Sequence, residues 1–375
     1  MNIKSKKNEI CSAYRRILLR EPDENGLQDY LNSSLSIDEI EKRLKNSVEY
    51  KNRVEPFLAG LASFKGRKIL LFGAYGNGNL GDAIQADFIL EGLREAGFDG
   101  GVWATSFLDG YYHFSGNGKL PTWAINSIEL LDYFDLIIVG GGGLLSHPHH
   151  PLNNKQWAES LKTPLALLSV GATNYAALDS ELLIKKAIFV SARDDVSLSC
   201  LSQFRRGVKL LKDPVLCMQD YSYNQNTREP EKTAWILRGP ASAELNHVRR
   251  LIKEDDVVVC FEKKIDQDIE GQFPELVYTP TVASLRKILN ECSRVVSMRY
   301  HGLILALPHV EEVYGLGDQK NQSLLSDLKM SECYIKNMTD LGARIRKKEL
   351  NRLDRSLVMS YKDNFVDHLK VLIFG

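Results

Sequence analysis

Three short stretches of this chain bring together residue types that could do chemistry. The first is GAYGNGNLGDAIQ, residues 73–85, which follows an apolar run. Its glycines Gly73, Gly76 and Gly78 are spaced G-x-x-G-x-G, where a dinucleotide fingerprint needs G-x-G-x-x-G; a phosphate-binding P-loop needs a lysine that Asn79 and Leu80 replace. Both nucleotide motifs are therefore absent from it. What remains is a turn and then Asn79-Leu80-Gly81-Asp82, opening a helix whose free N–H groups favour anions. Near a helix start Asp82 keeps its charge easily, which suits a hydrogen-bond acceptor or general base. The plainer alternative is that Asn79 and Asp82 are turn and N-cap residues.

The second stretch, IIVGGGGLLSHPHH, residues 137–150, ends a strand in a glycine run that includes Gly142 and Gly143, allowing a ligand to approach the backbone. His147, His149 and His150 follow. No carboxylate or thiolate pattern accompanies them, so an anionic substrate is the preferred guest over a metal ion, with an exposed loop cluster as the alternative. The third, RVVSMRYHGLILAL, residues 294–307, ends a strand in Arg299-Tyr300-His301-Gly302. A guanidinium suits two-pronged binding of carboxylate or phosphate, and an imidazole can give or take a proton near neutral pH. A core histidine beside a surface ion pair is the competing reading.

These stretches need a scaffold that brings strand ends together. From Lys68 onward, short β-rich runs (KILLFG, DLIIVGG, LALLSVG, IFVSARD, then TAWILRG, VVVCFEK, RVVSMRY) alternate with segments of helical length, the texture of parallel sheets with crossover helices. All three loops then lie at carboxyl ends of strands, where open α/β sheets place ligands. The polar, proline-containing stretch 211–232 reads as a linker between two such units. The expected organisation is a helical module over 1–60, a Rossmann-like domain over 66–212, a second over 230–340 and a helical tail over 341–375 that packs back on the first domain. The class is α/β, two Rossmann-like domains facing across a cleft, preceded by a small all-α module.

Composition narrows the function. The 375 residues carry 48 lysines plus arginines against 48 aspartates plus glutamates, so no charge imbalance draws the chain to nucleic acid. The start, MNIKSKKNEI, is polar where a signal peptide needs an apolar stretch, and no run reaches the roughly 18 apolar residues of a membrane span. A cytoplasmic protein, at most working at the inner face of the membrane, is expected. Six cysteines without a C-x-x-C pair point to reduced, mostly buried thiols.

Two resemblances add to this. The segment YRRILLREPDENGLQDYL, residues 14–31, resembles a short helical repeat of unknown function found in bacterial surface and carbohydrate-associated proteins. From about residue 68 to 325 the chain resembles the polysaccharide pyruvyl transferase family, through N-L-G-D (79–82), the V-G-G-G-G run, S-A-R-D-D-V-S (191–197), Asp213-Pro214 and R-Y-H-G-L-I-L-A (299–306). The resemblance implies a GT-B-like fold and transfer of a pyruvyl group from phosphoenolpyruvate to a sugar, usually as a cyclic ketal with release of phosphate. It implies that Arg299 and His301 hold phosphoenolpyruvate together with a loop histidine, for which His147 and His149 are preferred. Asp318 and Lys320, in GLGDQK, stand where the family carries an aspartate and a lysine.

From these we expect His301 and Asp82 as acid and base, and Arg299, Tyr300, His147, His149, Asn79, Gly142, Gly143 and Lys320 around the substrates. No metal or cofactor beyond phosphoenolpyruvate is expected. The acceptor would be a nucleotide-linked, lipid-linked or polymeric sugar of a bacterial surface polysaccharide. Two rivals are a nucleotide-sugar glycosyltransferase, with Glu311 or Glu312 gripping a ribose, and a non-catalytic polysaccharide-assembly protein.

Overall fold

The computed structural model describes residues 3–107, 113–146, 152–221, 232–239, 242–263, 265–269, 271–273, 276–279, 281–336, 338–347 and 353–375. His147, His149 and His150 lie outside the described residues. The chain divides into two compact units, one of Met1–Tyr75, Gly97–Asp109 and His113–Leu211, the other of Gly76–Ala96 and Lys212–Gly375.

The first unit begins with helices α1 (Ile3–Ile17), α2 (Glu24–Asn32), α3 (Ile37–Lys45) and α4 (Glu55–Ser63). Local chemistry sets their ends. Asp23 caps α2 by accepting from Gly26 N–H, and Ser36 and Glu39 form a reciprocal capping box on α3. A Cβ at Gly26 would lie 2.6 Å from the Tyr14 hydroxyl, so the R-E-P-D-x-x-G-L pattern needs its glycine where α1 meets α2. The first three helices share a small core that includes Ile10, Tyr14, Ile17, Ile40 and Leu44. A core this small supports little on its own. The module also leans on the rest of its unit, with Arg15 over the Trp123 ring and Lys45 paired with Glu129.

The remaining part of this unit is a seven-stranded parallel sheet. Its strands are β1 (Lys68–Phe72), β2 (Gly101–Ser106), β3 (Gly118–Pro121), β4 (Leu136–Gly140), β5 (Leu165–Val170), β6 (Phe189–Ala192) and β7 (Lys209–Leu210), in the order β3-β2-β1-β4-β5-β6-β7. The middle strands β1, β4 and β5 are buried along their length except at Lys68, as near-continuous apolar sequence requires when both faces are covered. The order reverses between β1 and β4, whose carboxyl ends lead into Gly73-Ala74-Tyr75 and the glycine run. The Tyr75 hydroxyl donates to Gly140 O at 2.7 Å and ties those two ends together.

The second unit holds a six-stranded parallel sheet of β8 (Thr233–Ile236), β9 (Val257–Cys260), β10 (Leu276–Tyr278), β11 (Arg294–Ser297), β12 (Glu312–Leu316) and β13 (Tyr334–Ile335), in the order β10-β9-β8-β11-β12-β13. Its reversal falls between β8 and β11, and β11 leads directly into Arg299-Tyr300-His301. The unit also contains α5 (Leu80–Ala83) and α6 (Gln85–Glu95), which connect β1 to β2 in sequence.

The expectation of a linker over 211–232 is corrected for its first half. Asp213 accepts from Val215 N–H and Pro214 takes the first helical position, so a short buried helix, α7 (Pro214–Met218), forms there. Residues 222–231 lie outside the described residues. The helix that follows β11 is α8 (Tyr300–Ala306), and the chain ends in α9 (Arg355–Phe374). Within the second unit α9 packs on α6, where a Cβ at Gly92 would meet Phe365 at 2.8 Å and Leu369 at 2.9 Å. No helix among the described residues is long and apolar enough to cross a membrane.

Candidate active site

The turn after β11 is built by its own side chains. Ser297 Oγ donates to Arg299 O at 2.8 Å and accepts from Arg299 N at 3.0 Å, which closes the backbone into the start of α8. A Cβ at Gly302 would sit 2.4 Å from that same Oγ, so the glycine of R-Y-H-G is required by the turn. Arg299 and His301 both end up buried, at 7% exposure each, while Tyr300 is only partly covered and sets its ring edge-on to the imidazole.

Burying a guanidinium demands counter-charge. Asp266, wholly buried, supplies most of it, with its two carboxylate oxygens 2.6 and 2.8 Å from Arg299 Nη2. The same carboxylate accepts from the backbone N–H of Gly239, Phe261 and Glu262. Glu262 adds a longer contact, Oε2 to Arg299 Nη1 at 3.3 Å. Arg299 Nε is buried with no hydrogen-bond partner among the described residues. The arginine that the sequence offers as an anion holder is thus already paired with carboxylates along one edge and open at its Nε.

His301 is gripped at Nε2. Asp213 Oδ2 lies 3.4 Å away and the Gln85 amide 3.3 Å away, both groups being buried. Gln85 Oε1 is buried without a partner; turning the amide over would let Oε1 accept from Nε2–H and leave the nitrogen over instead. In either orientation one amide atom is left for a ligand. The other face of the imidazole lies against Gly81, where a Cβ would come within 2.3 Å of Nδ1. Only glycine lets N-L-G-D approach the ring this closely.

That approach is fixed by the loop before α5. Gly76 and Gly78 have φ of 74° and 98°, so two of the glycines that mimic a nucleotide motif serve left-handed turns. Asn77 Oδ1 accepts from Asn79 N–H, Asn79 Oδ1 caps α5 by accepting from Gly81 N–H, and Asn77 Nδ2 donates to Asp82 Oδ2. Leu80 N–H reaches Phe261 O, at the end of β9. Asn79 is therefore the N-cap, whereas Asp82 sits in the first turn with its carboxylate in the field of Glu262. Burial, and then Asp82 and Asp266, raise the Glu262 carboxyl above its ordinary value against the lowering pull of Arg299.

Gly142 and Gly143 belong to the first unit, where Gly142 has φ of 72° and its carbonyl accepts from Gly171 N–H. Lys320 is exposed on the helix Gln319–Asp327, and Asp318 is that helix's N-cap, accepting from Lys320 N–H. Glu311 is exposed, and Glu312, offered above as a ribose ligand, is buried in a two-pronged pair with Arg294 at 2.8 and 3.1 Å. A carboxylate so engaged is not available to a sugar, which corrects that part of the glycosyltransferase reading. All six cysteines remain thiols and five are buried; burial pushes Cys260, beside the site, up to about 12. Among the described residues no group of three or more side chains is arranged to hold a metal ion.

Sequence reasoning missed Gln85, Glu262 and Asp266, and gave Asp213 no role. It also passed over Arg193 of S-A-R-D-D-V-S, which is buried in the first unit, lies 3.2 Å from Asp194 and packs its guanidinium on Gly171, next to the glycine run. For Arg193 the available signal was a charged residue between the strand end Ser191-Ala192 and a helix-capping aspartate.

A doubly wound pair of parallel sheets, with an Arg-x-His turn at the strand-order reversal of the second, defines a GT-B-like protein. The chain belongs to the polysaccharide pyruvyl transferase family, whose model matches residues 79–307, more than half of its length. That family is one of transferases. Among solved structures it is similar to the MnaA–UDP co-structure from S. aureus, at 13% identity over 82% of this chain and 97% of that one, with a TM-score of 0.55. It is also similar to UDP-GlcNAc 2-epimerases from Neisseria meningitidis, bound to UDP-GlcNAc (11% identity, 81% and 99%, TM-score 0.53), and from Methanocaldococcus jannaschii (12%, 82% and 100%, 0.52). At such identities the likeness is one of fold. No curated protein matches the chain.

Proposed function

We propose that this chain transfers the pyruvyl group of phosphoenolpyruvate to a sugar of a bacterial surface polysaccharide or its precursor, forming a ketal and releasing phosphate. The observation that carries this reading is the pair of buried atoms without a partner among the described residues, Arg299 Nε and an atom of the Gln85 amide that contacts His301. Buried polar groups are nearly always satisfied, so such atoms mark where a polar ligand belongs. A guanidinium and an imidazole carried two residues apart by one turn suit a small carboxylate-phosphate.

In this scheme Arg299 holds the donor's anionic end. His301, steadied at Nε2 by buried Asp213, gives a proton to the methylene carbon of the enol ester, making the central carbon electrophilic. A sugar hydroxyl attacks that carbon while Asp82 takes its proton, and a second hydroxyl displaces phosphate to close the ketal. Asn79 and Gly81 shape the acceptor side. In the first unit, Gly142, Gly143 and Arg193 are the residues we assign to substrate contact, with His147 and His149 of the adjoining loop and Lys320 as further cations. The acceptor is expected to be nucleotide-linked, lipid-linked or polymeric, and the work to be done in the cytoplasm or at the inner face of the membrane.

The test is incubation of the full chain with phosphoenolpyruvate and a panel of such acceptors. Acceptor-dependent phosphate release with a ketal product seen by mass spectrometry is expected. Transfer of a sugar from a nucleotide donor instead would replace this reading with the glycosyltransferase one.

A further inference from the structure

A trianion cannot simply be added to this site, because four carboxylates, Asp82, Asp213, Glu262 and Asp266, already belong to it. Asp82 and Asp266 both act electrostatically on Glu262, Arg299 faces Glu262 and Asp266, and His301 faces Asp213. Bringing in a donor that carries phosphate and carboxylate adds like charge beside the existing acids. Either the donor binds weakly or one of them gives up its charge.

The contacts decide which. Asp266 accepts five hydrogen bonds among the described residues, two from Arg299 Nη2 and three from backbone N–H groups, and is held in place by them. Asp82 accepts from the Asn77 amide and belongs to the α5 turn. Among the described residues the Glu262 carboxylate has one hydrogen-bond contact, the 3.3 Å approach of Arg299 Nη1, and its side chain retains 15% exposure through which a proton can arrive. Its backbone N–H is committed to Asp266, so the chain is fixed at that point while the carboxylate can swing.

We infer that phosphoenolpyruvate replaces Glu262 at Arg299 Nη1 and that Glu262, kept beside the bound donor, Asp82 and Asp266, takes up a proton from solvent, so that donor binding is coupled to protonation of Glu262. No covalent bond changes in this step. The charge balance is one donor anion in and one carboxylate neutralised. Its direction follows: because the complex holds more protons than the free protein, affinity falls as pH rises above the free Glu262 value, by up to about tenfold per unit for one proton. The groups that set this response are Arg299 from the turn before α8, Asp82 from α5 and Asp266 from the turn after β9, with Glu262 moved upward already by burial.

This rests on the donor reading above, and one experiment separates the two. Titration calorimetry of the full chain with phosphoenolpyruvate, at about pH 8 in buffers of different ionisation enthalpy, counts the protons taken up. The donor's own protonation is common to all variants, so the readout is the difference between wild type and Glu262→Gln. Wild type is expected to take up more, by an amount approaching one proton, with Glu262→Gln still binding and losing the pH dependence of affinity. Glu262→Asp, which keeps the carboxylate, is expected to retain the uptake and guards against a folding defect in the amide variant. Equal proton counts in wild type and Glu262→Gln, with binding in both, would overturn the coupling and leave the donor reading standing. Absence of binding to wild type would remove both.

Discussion

At the scale of single residues, the structure changes what a mutation at Arg299 measures. Truncation to alanine strips the counter-charge from fully buried Asp266, a loss that typically costs about 3–5 kcal/mol. Arg299→Ala is therefore expected to lower the melting temperature as well as abolish transfer. Arg299→Lys keeps a charge for Asp266 but loses the planar fork; we expect a smaller stability loss and at least about tenfold weaker donor binding, read by calorimetry. His301→Ala takes one partner from Gln85 and from buried Asp213, whose other oxygen keeps the hydrogen bond from Val215 N–H. It should fold and lose turnover, and near-normal turnover of a folded His301→Ala protein would take the imidazole out of the mechanism. For Asp82→Asn, which can still accept from Asn77, a drop in kcat of about 100-fold or more is expected from a general base. Full activity would leave Asp82 a helix-turn residue.

At the scale of elements, the site depends on the close approach of α5, at Gly81, to the imidazole of His301. Gly81→Ala places a methyl where His301 Nδ1 stands, so we expect the ring to move, kcat to fall and the circular dichroism spectrum to stay unchanged. A normal kcat would mean the N-L-G-D contact has no part in catalysis. The same scale shows what could be read in the sequence. The β11–turn–α8 unit was legible because a buried strand runs straight into Arg299 and His301. The alternation of apolar runs likewise marked β1, β4, β5, β6, β8, β9 and β11, whereas β2, β3, β7, β10, β12 and β13 lie outside those runs. Asp213 was hidden because D-P-V-L-C-M sits beside polar, proline-containing sequence, and its helix is only five residues long. Asp266 and Glu262 carry no local pattern, since their meaning comes from Arg299, more than thirty residues further along the chain.

At the scale of the whole molecule, two parallel sheets each end a reversal of strand order in residues fit for binding, the glycine run in the first and the Arg-x-His turn in the second. The GT-B-like fold admits nucleotide-sugar enzymes and this transferase family alike, so the choice of donor falls to side chains. The central claim is that the Arg299–His301 turn takes phosphoenolpyruvate. The measurement is thermal unfolding of the full chain with phosphoenolpyruvate or uridine diphosphate in excess. At about 100 times its dissociation constant a ligand adds about 2.7 kcal/mol to folded-state stability. We predict a rise in melting temperature with phosphoenolpyruvate that Arg299→Lys largely abolishes, and none with uridine diphosphate alone. A rise with uridine diphosphate and none with phosphoenolpyruvate would contradict the account.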